Sequence, residues 1–501
     1  MGEHRREFLK MAGLGIVGGS VNLLNTPTAS AQRAGTSGES TSGKPLFFDV
    51  RSFGATGGGK TIDSPAINAA IEAASAAGGG TVVFPAGVYA CFSIRLKSFV
   101  ALFLQQGATI LATDSPLPGQ TTGYMGGTYD AAEPKSTWDA YQDYGHNHWH
   151  NSLMWGADIH DFGIFGPGLI WGKGLSHGGG REARGNYPVF KAEQAGVGNK
   201  AIALKNCYNV TFCDFSLLKG GHFGLLLTGV DNITIDNLKV DTDRDGIDID
   251  CCKNVRVSNC TVNTPWDDAI CPKSSLALGY VRATENVTIS NCVFEGSHGL
   301  ALETVDGALI EDIAVTNITM RDSIGSPVFL RLGARLRGPK ESTNVGTLKR
   351  IIMSNITSHG ATSLCTAICG MPGHMIEDLK ISDVYLHQSG GADGELASRQ
   401  PPEQDKAYPE VTMFGDLPAT GLFVRHARNL EVSNLEVMTE AADARPAFWL
   451  SDVDGADFFR VKVPRQSTVP AFNLKNVKDF RVFGCKYLKD AAYEQSDNRS
   501  L

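Results

Sequence analysis

The sequence lacks three features that would each have pointed to a particular class of protein. It has no excess of positive charge, because 45 Lys and Arg face 53 Asp and Glu for a net charge of −8, whereas a surface that binds nucleic acid must be basic to hold phosphates. Beyond the N-terminal stretch, no apolar run is long enough to cross a membrane. The eleven cysteines are an odd number, so at least one cannot pair within the chain. We therefore expect no nucleic acid and no membrane as partner of the mature chain, and buried thiols rather than a disulfide framework.

The N-terminus has the three parts of an export signal, in order. Arg5 and Arg6 form a twin-arginine start, a Gly-rich apolar stretch follows from Met11 to Leu24, and Ala29-Ser30-Ala31 offers a small-x-small cleavage site. Residues 32–44 are mostly Gly, Ser and Thr, with few apolar side chains, which is typical of a flexible linker. The sequence thus predicts a twin-arginine signal peptide over 1–31, a linker over 32–44 and a periplasmic or extracellular protein.

A short phrase that begins with asparagine recurs through the middle of the chain. Its clearest copies begin at Asn209, Asn232, Asn254 and Asn286, at intervals of 23, 22 and 32 residues. Each copy is a short run of alternating β-branched residues. Weaker copies follow near Asp312, Ile351, Leu379, Leu430 and Phe480. Short strands at a nearly constant period, without crossover helices, predict an all-β solenoid of parallel stacked coils.

Other repeat folds fit less well. The leucine pattern of a leucine-rich repeat is missing, and a propeller blade needs about twice this period. Ser64-Pro65 followed by apolar spacing predicts a capping α-helix that ends before Gly78. Asparagines at one point of successive coils are expected to form an amide ladder inside the bends. We interpret residues 45–501 as one domain.

The asparagine register also aligns a column of polar residues. His222, Asp245, Asp267 and His298 lie 13, 13, 13 and 12 residues after the four asparagines, and Asp268 follows Asp267. If the coils are in register, these side chains stack on one outer face, with adjacent coils about 4.8 Å apart. Carboxyl groups so close repel one another, which leaves one protonated beside ionised ones. That pairing suits glycoside hydrolysis, whereas a lone Asp in a Gly-rich coil is usually turn chemistry.

The same residues resemble the motifs of the polygalacturonases, glycoside hydrolase family 28. The resemblance rests on Asp243-Arg244-Asp245-Gly246-Ile247-Asp248, Trp266-Asp267-Asp268-Ala269-Ile270, Ser297-His298-Gly299 and Arg331-Leu332-Gly333. It implies a right-handed parallel β-helix that inverts a pectic glycosidic bond and needs no metal or cofactor. In that role Asp267 resembles the general acid, while Asp245 and Asp268 resemble the pair that activates water. The resemblance also implies that His298 steadies this set and that Arg331 faces the substrate.

The sequence departs from the family pattern at several positions. Asp243 and Arg244 replace Asn and Thr, and Trp266 stands before the Asp pair, where it could stack on a sugar. The family lysine of the last motif is Gly333, so Lys273, Arg335 and Arg337 are candidates for the missing cation. For Lys273 the alternative is a solvated strand end. We include Lys273, Trp266, His222 and Asp248 with Arg331 among the predicted substrate-binding residues.

Two long loops remain. Residues 114–160 carry seven Tyr and Trp side chains, which either wall off one end of the groove, giving exo-action, or form a small cluster that ties the loop down. His146, His148 and His150 have a possible zinc spacing but no further ligand can be named, so we prefer polar tips in a sugar subsite and predict no metal. We interpret 389–418 as a surface excursion.

The predicted function is an inverting, exo-acting hydrolase of a pectic polysaccharide or oligosaccharide, of galacturonate or rhamnogalacturonan type. A polysaccharide lyase and a non-catalytic carbohydrate-binding β-helix are the alternatives, because fold alone does not prove activity. The sugar, the linkage and the oligomeric state stay open.

Overall fold

A computed structural model describes residues 46–134, 136–137, 146, 148–176, 194–333, 335, 338, 344–464 and 468–501. The predicted signal peptide and linker lie outside these residues. Within the described part, no helix has the length and apolar character of a membrane span.

The described elements are mostly short strands. The strands of the first half are β1 (Phe47–Asp49), β2 (Gly58–Ile62), β3 (Gly80–Phe84), β4 (Gly87–Cys91), β5 (Ile94–Arg95), β6 (Val100–Leu104), β7 (Ala108–Ala112), β8 (Met154–Ala157), β9 (His160–Phe165), β10 (Leu169–Trp171), β11 (Lys200–Lys205), β12 (Tyr208–Cys213), β13 (Ser216–Leu218), β14 (Phe223–Thr228), β15 (Asp231–Asp236) and β16 (Lys239–Asp241). Those of the second half are β17 (Asp245–Asp250), β18 (Lys253–Ser258), β19 (Thr261–Asn263), β20 (Ile270–Ser274), β21 (Thr284–Glu295), β22 (Leu300–Thr304), β23 (Leu309–Ser323), β24 (Val328–Leu332), β25 (Thr347–Gly360), β26 (Thr366–Cys369), β27 (Ile376–Gln388), β28 (Leu422–Thr439), β29 (Phe448–Phe459), β30 (Phe472–Phe483) and β31 (Ala491–Ser500). The helices are α1 (Ser64–Ala76), α2 (Gly394–Ser398) and two 3₁₀ turns, Val50–Phe53 and Tyr124–Gly126.

The strands wind into a right-handed parallel β-helix, which confirms the predicted fold. Strands of successive coils pair in parallel, as β14 does with β17 and β17 with β20. Inward side chains alternate with outward ones, so Ile233 and Ile235 of β15 are buried while Asn232 of the same strand is exposed. The last strand, β31, runs antiparallel to β30 and so ends the parallel stack.

The recurring asparagines form the predicted ladder, but on the outside of the coil. Asn232 donates its side-chain amide to Asn209 at 3.3 Å, and Asn254 donates to Asn232 at 3.0 Å. All three are exposed, and each has a positive φ, between 53° and 57°. Asparagine tolerates this left-handed backbone better than most residues, so the bend itself selects it. The expectation that the ladder lies inside the bends was wrong.

The predicted capping helix is α1. Its buried face, which includes Ile67 and Ile71, packs on the first coils. The N-cap position falls on Asp63 rather than on Ser64, and the Asp63 carboxylate accepts from the backbone N–H of Thr56 at 2.7 Å. Asp63, one residue before Ser64, therefore connects the start of α1 to the preceding turn through this hydrogen bond.

All eleven cysteines are free in this structure. Nine are buried, and only Cys213 and Cys485 are partly exposed. Burial raises the pKa of several of these thiols, for example that of Cys207 to about 12, so they behave as small apolar side chains.

Candidate active site

The predicted column of acids lies where three stacked strands begin. Asp245 opens β17, the pair Asp267 and Asp268 precedes β20, and His298 precedes β22. The backbone N–H of Gly246 donates to the carbonyl of Asp268 at 3.0 Å, and that of His298 donates to the carbonyl of Asp267 at 3.0 Å. The coil register thus brings these residues together, as the spacing from the asparagines predicted.

These side chains surround a cavity of about 370 Å³. Six predicted site residues line it: Asp245, Trp266, Asp267, Asp268, Lys273 and His298. Further lining comes from residues to which the sequence assigned no role in catalysis, chiefly His146, Arg244, Glu303, Tyr408 and Glu410. Most of these groups are nearly buried, so their charges interact in a poorly solvated space.

Arg244 binds Asp267 directly. Its Nε and Nη2 atoms both donate to one carboxylate oxygen of Asp267, at 2.8 and 2.6 Å. Burial by itself raises the pKa of Asp267, but the charge and hydrogen bonds of Arg244, with the charges of His298 and Lys273, outweigh it, and the pKa is lowered. Asp267 is therefore the ionised member of the set.

Asp245 and Asp268 have the opposite electrostatics. Burial, and next the charge of Asp267, raise the pKa of both carboxyl groups well above the ordinary value. Three carboxyl groups in one small cavity cannot all ionise, so the proton resides on this pair. The site thus holds ionised and protonated acids side by side, the combination that acid–base hydrolysis requires.

Lys273, which lines the cavity, forms a buried ion pair with Asp248. The Lys273 ammonium lies 3.1 Å from one Asp248 oxygen, and the His146 ring nitrogen lies 3.3 Å from the other. Burial opposes ionisation of both partners, yet their mutual attraction lowers the pKa of Asp248 and raises that of Lys273. Asp248 is fully buried and does not line the cavity, so the prediction that it binds substrate was wrong. Its position lets it hold Lys273 at the cavity.

His222 stacks in the next coil but stays behind the cavity wall. Its ring packs on Phe223 at 4.5 Å between centroids, and 4% of the residue is exposed. Burial, and then the charge of Arg244, lower the pKa of His222 well below its ordinary value. His222 packs against an apolar neighbour and is not among the residues that line the cavity, so its role in substrate binding stays a prediction.

Arg331 does not face the cavity, which corrects the expectation drawn from the family. It is fully buried, and its guanidinium donates to the carbonyls of Gly370 at 2.8 Å and Glu403 at 2.9 Å. Arg425 of β28 likewise donates to the carbonyls of Pro401 at 3.0 Å and Pro402 at 2.7 Å. The two arginines hold the segment from residue 401 to 404 by its backbone.

The segment held in this way continues into the site. Tyr408 and Glu410 line the cavity together with their neighbours up to Thr412. The interpretation of 389–418 as a surface excursion was therefore wrong for this part of it. Loops carry no periodic sequence signal. The position of this segment follows from its contacts with the buried Arg331 and Arg425.

The long aromatic loop is tied to the body where the structure describes it. The ring N–H of Trp149 donates to the Thr228 hydroxyl at 3.0 Å, and the Tyr129 hydroxyl donates to the Thr113 carbonyl at 2.7 Å. Neither ring lines the cavity, which fits the alternative of a cluster that fastens the loop. The predicted wall residues Trp138, Tyr141 and Tyr144 lie outside the described residues.

The three alternating histidines do not share one site. His148 and His150 lie 3.9 and 3.5 Å from Glu133 oxygens, whereas His146 contacts Asp248 and lines the cavity. Elsewhere at the cavity, groups of acids with His or Cys, such as Asp267, Asp268 and His298, have ligand atoms within 4.8 Å of one another. Acid clusters of this kind suit proton transfer as well as cations, so the metal-free mechanism stays a prediction.

Position 333 has no room for a side chain. A Cβ atom on Gly333 would lie 2.1 Å from the Thr304 carbonyl oxygen. Of the candidates to replace the family lysine, Arg337 lies outside the described residues. Arg335 stands over the Tyr408 ring at 4.8 Å and pairs with Asp306 at 3.4 Å. The cation is therefore absent from position 333 for a steric reason.

Comparisons with known proteins agree with the fold and with the site motifs. Residues 112–360 match the glycosyl hydrolases family 28, and residues 47–107 match the pattern of rhamnogalacturonase A/epimerase, pectate lyase-like proteins. A probable polygalacturonase of Arabidopsis thaliana is 27% identical over 300 residues, 58% of this chain and 54% of that protein. This chain thus spans about half the length of that relative.

Two further relatives cover more of the chain. An exopolygalacturonase of Arabidopsis thaliana is 22% identical over 391 residues, 70% of this chain and 82% of that protein. The solved structure of the family 28 exopolygalacturonase of Yersinia enterocolitica covers 88% of this chain and 79% of its own, with 19% identity and a TM-score of 0.59. That structural likeness supports the β-helix fold.

Proposed function

We propose that this polygalacturonase-like chain, whose residues 112–360 match the glycosyl hydrolases family 28, hydrolyses glycosidic bonds in a pectic polysaccharide or oligosaccharide. One observation carries the proposal: the coil register gathers Asp245, Asp267 and Asp268 around one cavity, with ionised and protonated carboxyl groups together. A carbohydrate is the substrate class that such a set of acids suits.

The proposed reaction is a single displacement with inversion. A water molecule held by Asp245 and Asp268 attacks the anomeric carbon as the bond to the leaving oxygen breaks. One carboxylate takes a proton from this water, and Asp267 supplies a proton to the leaving oxygen, so charge and protons balance. His298, whose backbone bonds to Asp267, keeps the set in place.

The assignment of Asp267 as proton donor requires that its contact with Arg244 be broken during the reaction. Asp267 can donate a proton only when it is protonated, yet its contact with Arg244 favours the ionised form. We propose that a bound sugar separates the two side chains and that Asp267 then takes the proton held by its carboxyl neighbours. Carboxylate oxygens of Asp267 and Asp268 lie within 4.8 Å of each other, so that transfer is short and internal to the cavity.

We also propose that the enzyme is exo-acting. The segment with Tyr408 and Glu410, fixed by Arg331 and Arg425, bounds the cavity on one side, and His146 bounds it on another. A bounded cavity accommodates a chain end more readily than the middle of a polymer. Viscometry tests this mode: slow loss of viscosity relative to bond cleavage supports it, and rapid collapse at low cleavage contradicts it.

The activity is tested on a panel of pectic polysaccharides and oligosaccharides. Release of new reducing ends without ultraviolet-absorbing unsaturated products is the expected result. Unsaturated products would instead establish a lyase. Binding of these sugars without any product would establish the non-catalytic alternative.

The place of action is a further part of the proposal. The twin arginines Arg5 and Arg6 motivate export to the periplasm or beyond. Replacing both with lysine and fractionating the cells tests it, because retention of the variant inside the cell is expected while the unchanged chain is exported. An equal distribution of both would contradict it.

A further inference from the structure

One wall of the cavity is acidic, and the proposed catalytic mechanism does not use it. Glu303 of β22 and Glu410 of the arginine-held segment both line the cavity, and we call this pair the acidic wall. Glu303 is 2% exposed. Among the described residues its carboxyl has one hydrogen-bond partner, the Cys271 thiol at 3.9 Å.

The coil register explains how a glutamate comes to this wall. Glu303 pairs in the sheet with Lys273 of the preceding coil and with Arg331 of the following one. Both neighbours are cations, yet each is engaged elsewhere. Lys273 lies against Asp248 at 3.1 Å, and Arg331 donates to backbone carbonyls below the segment. Glu303 is thus left facing the cavity without an ion pair to either.

The other cations at the cavity are committed as well. Within the described residues, Arg244 pairs with Asp267, and Arg335, beside the cavity, pairs with Asp306. Position 333, where the family has lysine, has no space for a Cβ atom. Among the described residues neither wall acid forms an ion pair with a Lys or Arg side chain, and Glu410 lies 3.8 Å from the His298 ring. A free carboxylate on a sugar placed at the acidic wall would therefore meet two acids, while Arg244 is directed at Asp267.

Hydroxyl groups fit this wall better than a carboxylate does. A sugar hydroxyl donates to an ionised carboxyl and accepts from a protonated one, so it satisfies Glu303 and Glu410 in either state. A sugar carboxylate would instead lose its hydration in a place where burial, and the charge of Glu410, already raise the pKa of Glu303 to about 8. The wall therefore discriminates by charge.

We propose that the sugar unit that lies against the acidic wall is neutral, presenting hydroxyl groups or an esterified carboxyl and no ionised carboxylate. The inference rests on the proposed function, since it names the substrate class of the same site. Glu303 and Glu410 are then specificity-determining residues. They select among substrates and take no part in the proton transfers.

The test uses substrates that differ only in this charge. Oligogalacturonides are compared with their methyl esters and with their carboxyl-reduced, neutral forms, and kcat/KM is measured for each. We expect at least a tenfold preference for both neutral forms over the free acid. A preference for the ester alone would assign the wall to an esterified uronate, and a preference for the reduced sugar alone to a neutral sugar; either supports the proposal. Equal or better cleavage of the free acid overturns it.

Two variants connect the preference to the wall. Glu303→Gln and Glu410→Gln each remove one acid with little change in shape, so the ratio of neutral to acidic kcat/KM should fall severalfold, mainly through KM of the acidic substrate. Because the ratio is taken within one protein, a loss of folded enzyme cancels. Glu410, with 37% of its side chain exposed, is the variant least able to disturb folding.

A matched control is Glu72→Gln on α1, whose side chain is 60% exposed and pairs with Lys97. It should leave the ratio unchanged. If both wall variants also leave the ratio unchanged, the acidic wall does not select charge and the inference fails. If no substrate is cleaved by the unaltered enzyme while all are bound, it is the proposed function that fails.

Discussion

Replacing Arg244 with glutamine tests whether Asp267 is the proton donor of the site. Arg244 donates twice to one oxygen of Asp267 and is the principal group that lowers the pKa of that carboxyl. Glutamine keeps much of the side-chain length but loses the charge. Without it, only the charges of His298 and Lys273 oppose burial and the nearby acids, so the pKa of Asp267 should rise.

The size of the rise follows from the contact. A hydrogen bond to a charged group contributes about 1.5–3 kcal/mol, and a pKa change of one unit corresponds to about 1.4 kcal/mol. Losing the pair should therefore raise the pKa of Asp267 by about 1–2 units. If Asp267 is the proton donor, the alkaline limb of the kcat/KM profile, which reports the proton shared by the three acids of the free enzyme, should move up.

The assay is the pH dependence of kcat/KM, with Arg256→Gln on the exposed outer face of β18 as the matched control. An alkaline limb that stays in place in Arg244→Gln would refute the assignment of Asp267 as donor and pass the role to Asp245 or Asp268.

Stability gives an independent readout of the same pair. The folded pKa of Asp267 is depressed below its ordinary value near 3.8, so the pair contributes stability above that value, which is lost as pH falls through the folded pKa. Arg244→Gln should consequently lower Tm at neutral pH and have a smaller effect in strong acid. An equal loss of Tm at both pH values would mean that packing, and not the ion pair, is responsible.

Three further predictions follow from neighbouring contacts. Arg331→Gln should lower kcat/KM at least tenfold and increase proteolysis between residues 399 and 412, because the carbonyls of Gly370 and Glu403 lose their donor; unchanged proteolysis would contradict the anchoring role. Gly333→Ala should lower the free energy of unfolding by about 1–3 kcal/mol, the usual range for an added methyl in a packed site, since its Cβ would overlap the Thr304 carbonyl; a denaturant titration with an unchanged midpoint would contradict this. Chelators should leave activity intact, because three carboxyl groups can activate water without a metal; loss of activity with rescue by a divalent cation would revive a metal site.

The fold could be predicted because its physical cause is periodic. The coils bend at residues with positive φ, a backbone conformation that favours asparagine. Asn209, Asn232 and Asn254 therefore recur at nearly constant spacing, and their side chains form the ladder. Counting from these bends also placed Asp245, Asp267 and His298 together, because residues at equal distance from a bend stack across coils. Only the side of the bend on which the ladder lies was wrong.

Other parts of the site have no such periodic cause. Arg331 sits at its expected register position, but whether its side chain turns outward depends on a segment about seventy residues later that supplies carbonyl partners. The placement of Tyr408 and Glu410 depends on the same segment. The pair of Arg244 with Asp267 joins adjacent coils through a side-chain conformation, which the spacing of residues does not determine. Asp248 alternates as a strand residue should, but its carboxylate forms an ion pair with the buried Lys273.

The most direct test of the central claim is the turnover of Asp267→Asn on the best substrate of the unaltered enzyme. The substitution removes the proposed proton donor and keeps the shape of the side chain, and general acid catalysis contributes about 10²–10⁴-fold. We predict that kcat falls by about that factor while circular dichroism shows an unchanged β-helix. A variant that turns over at nearly the original rate would contradict the claim that this column of acids is the catalytic centre.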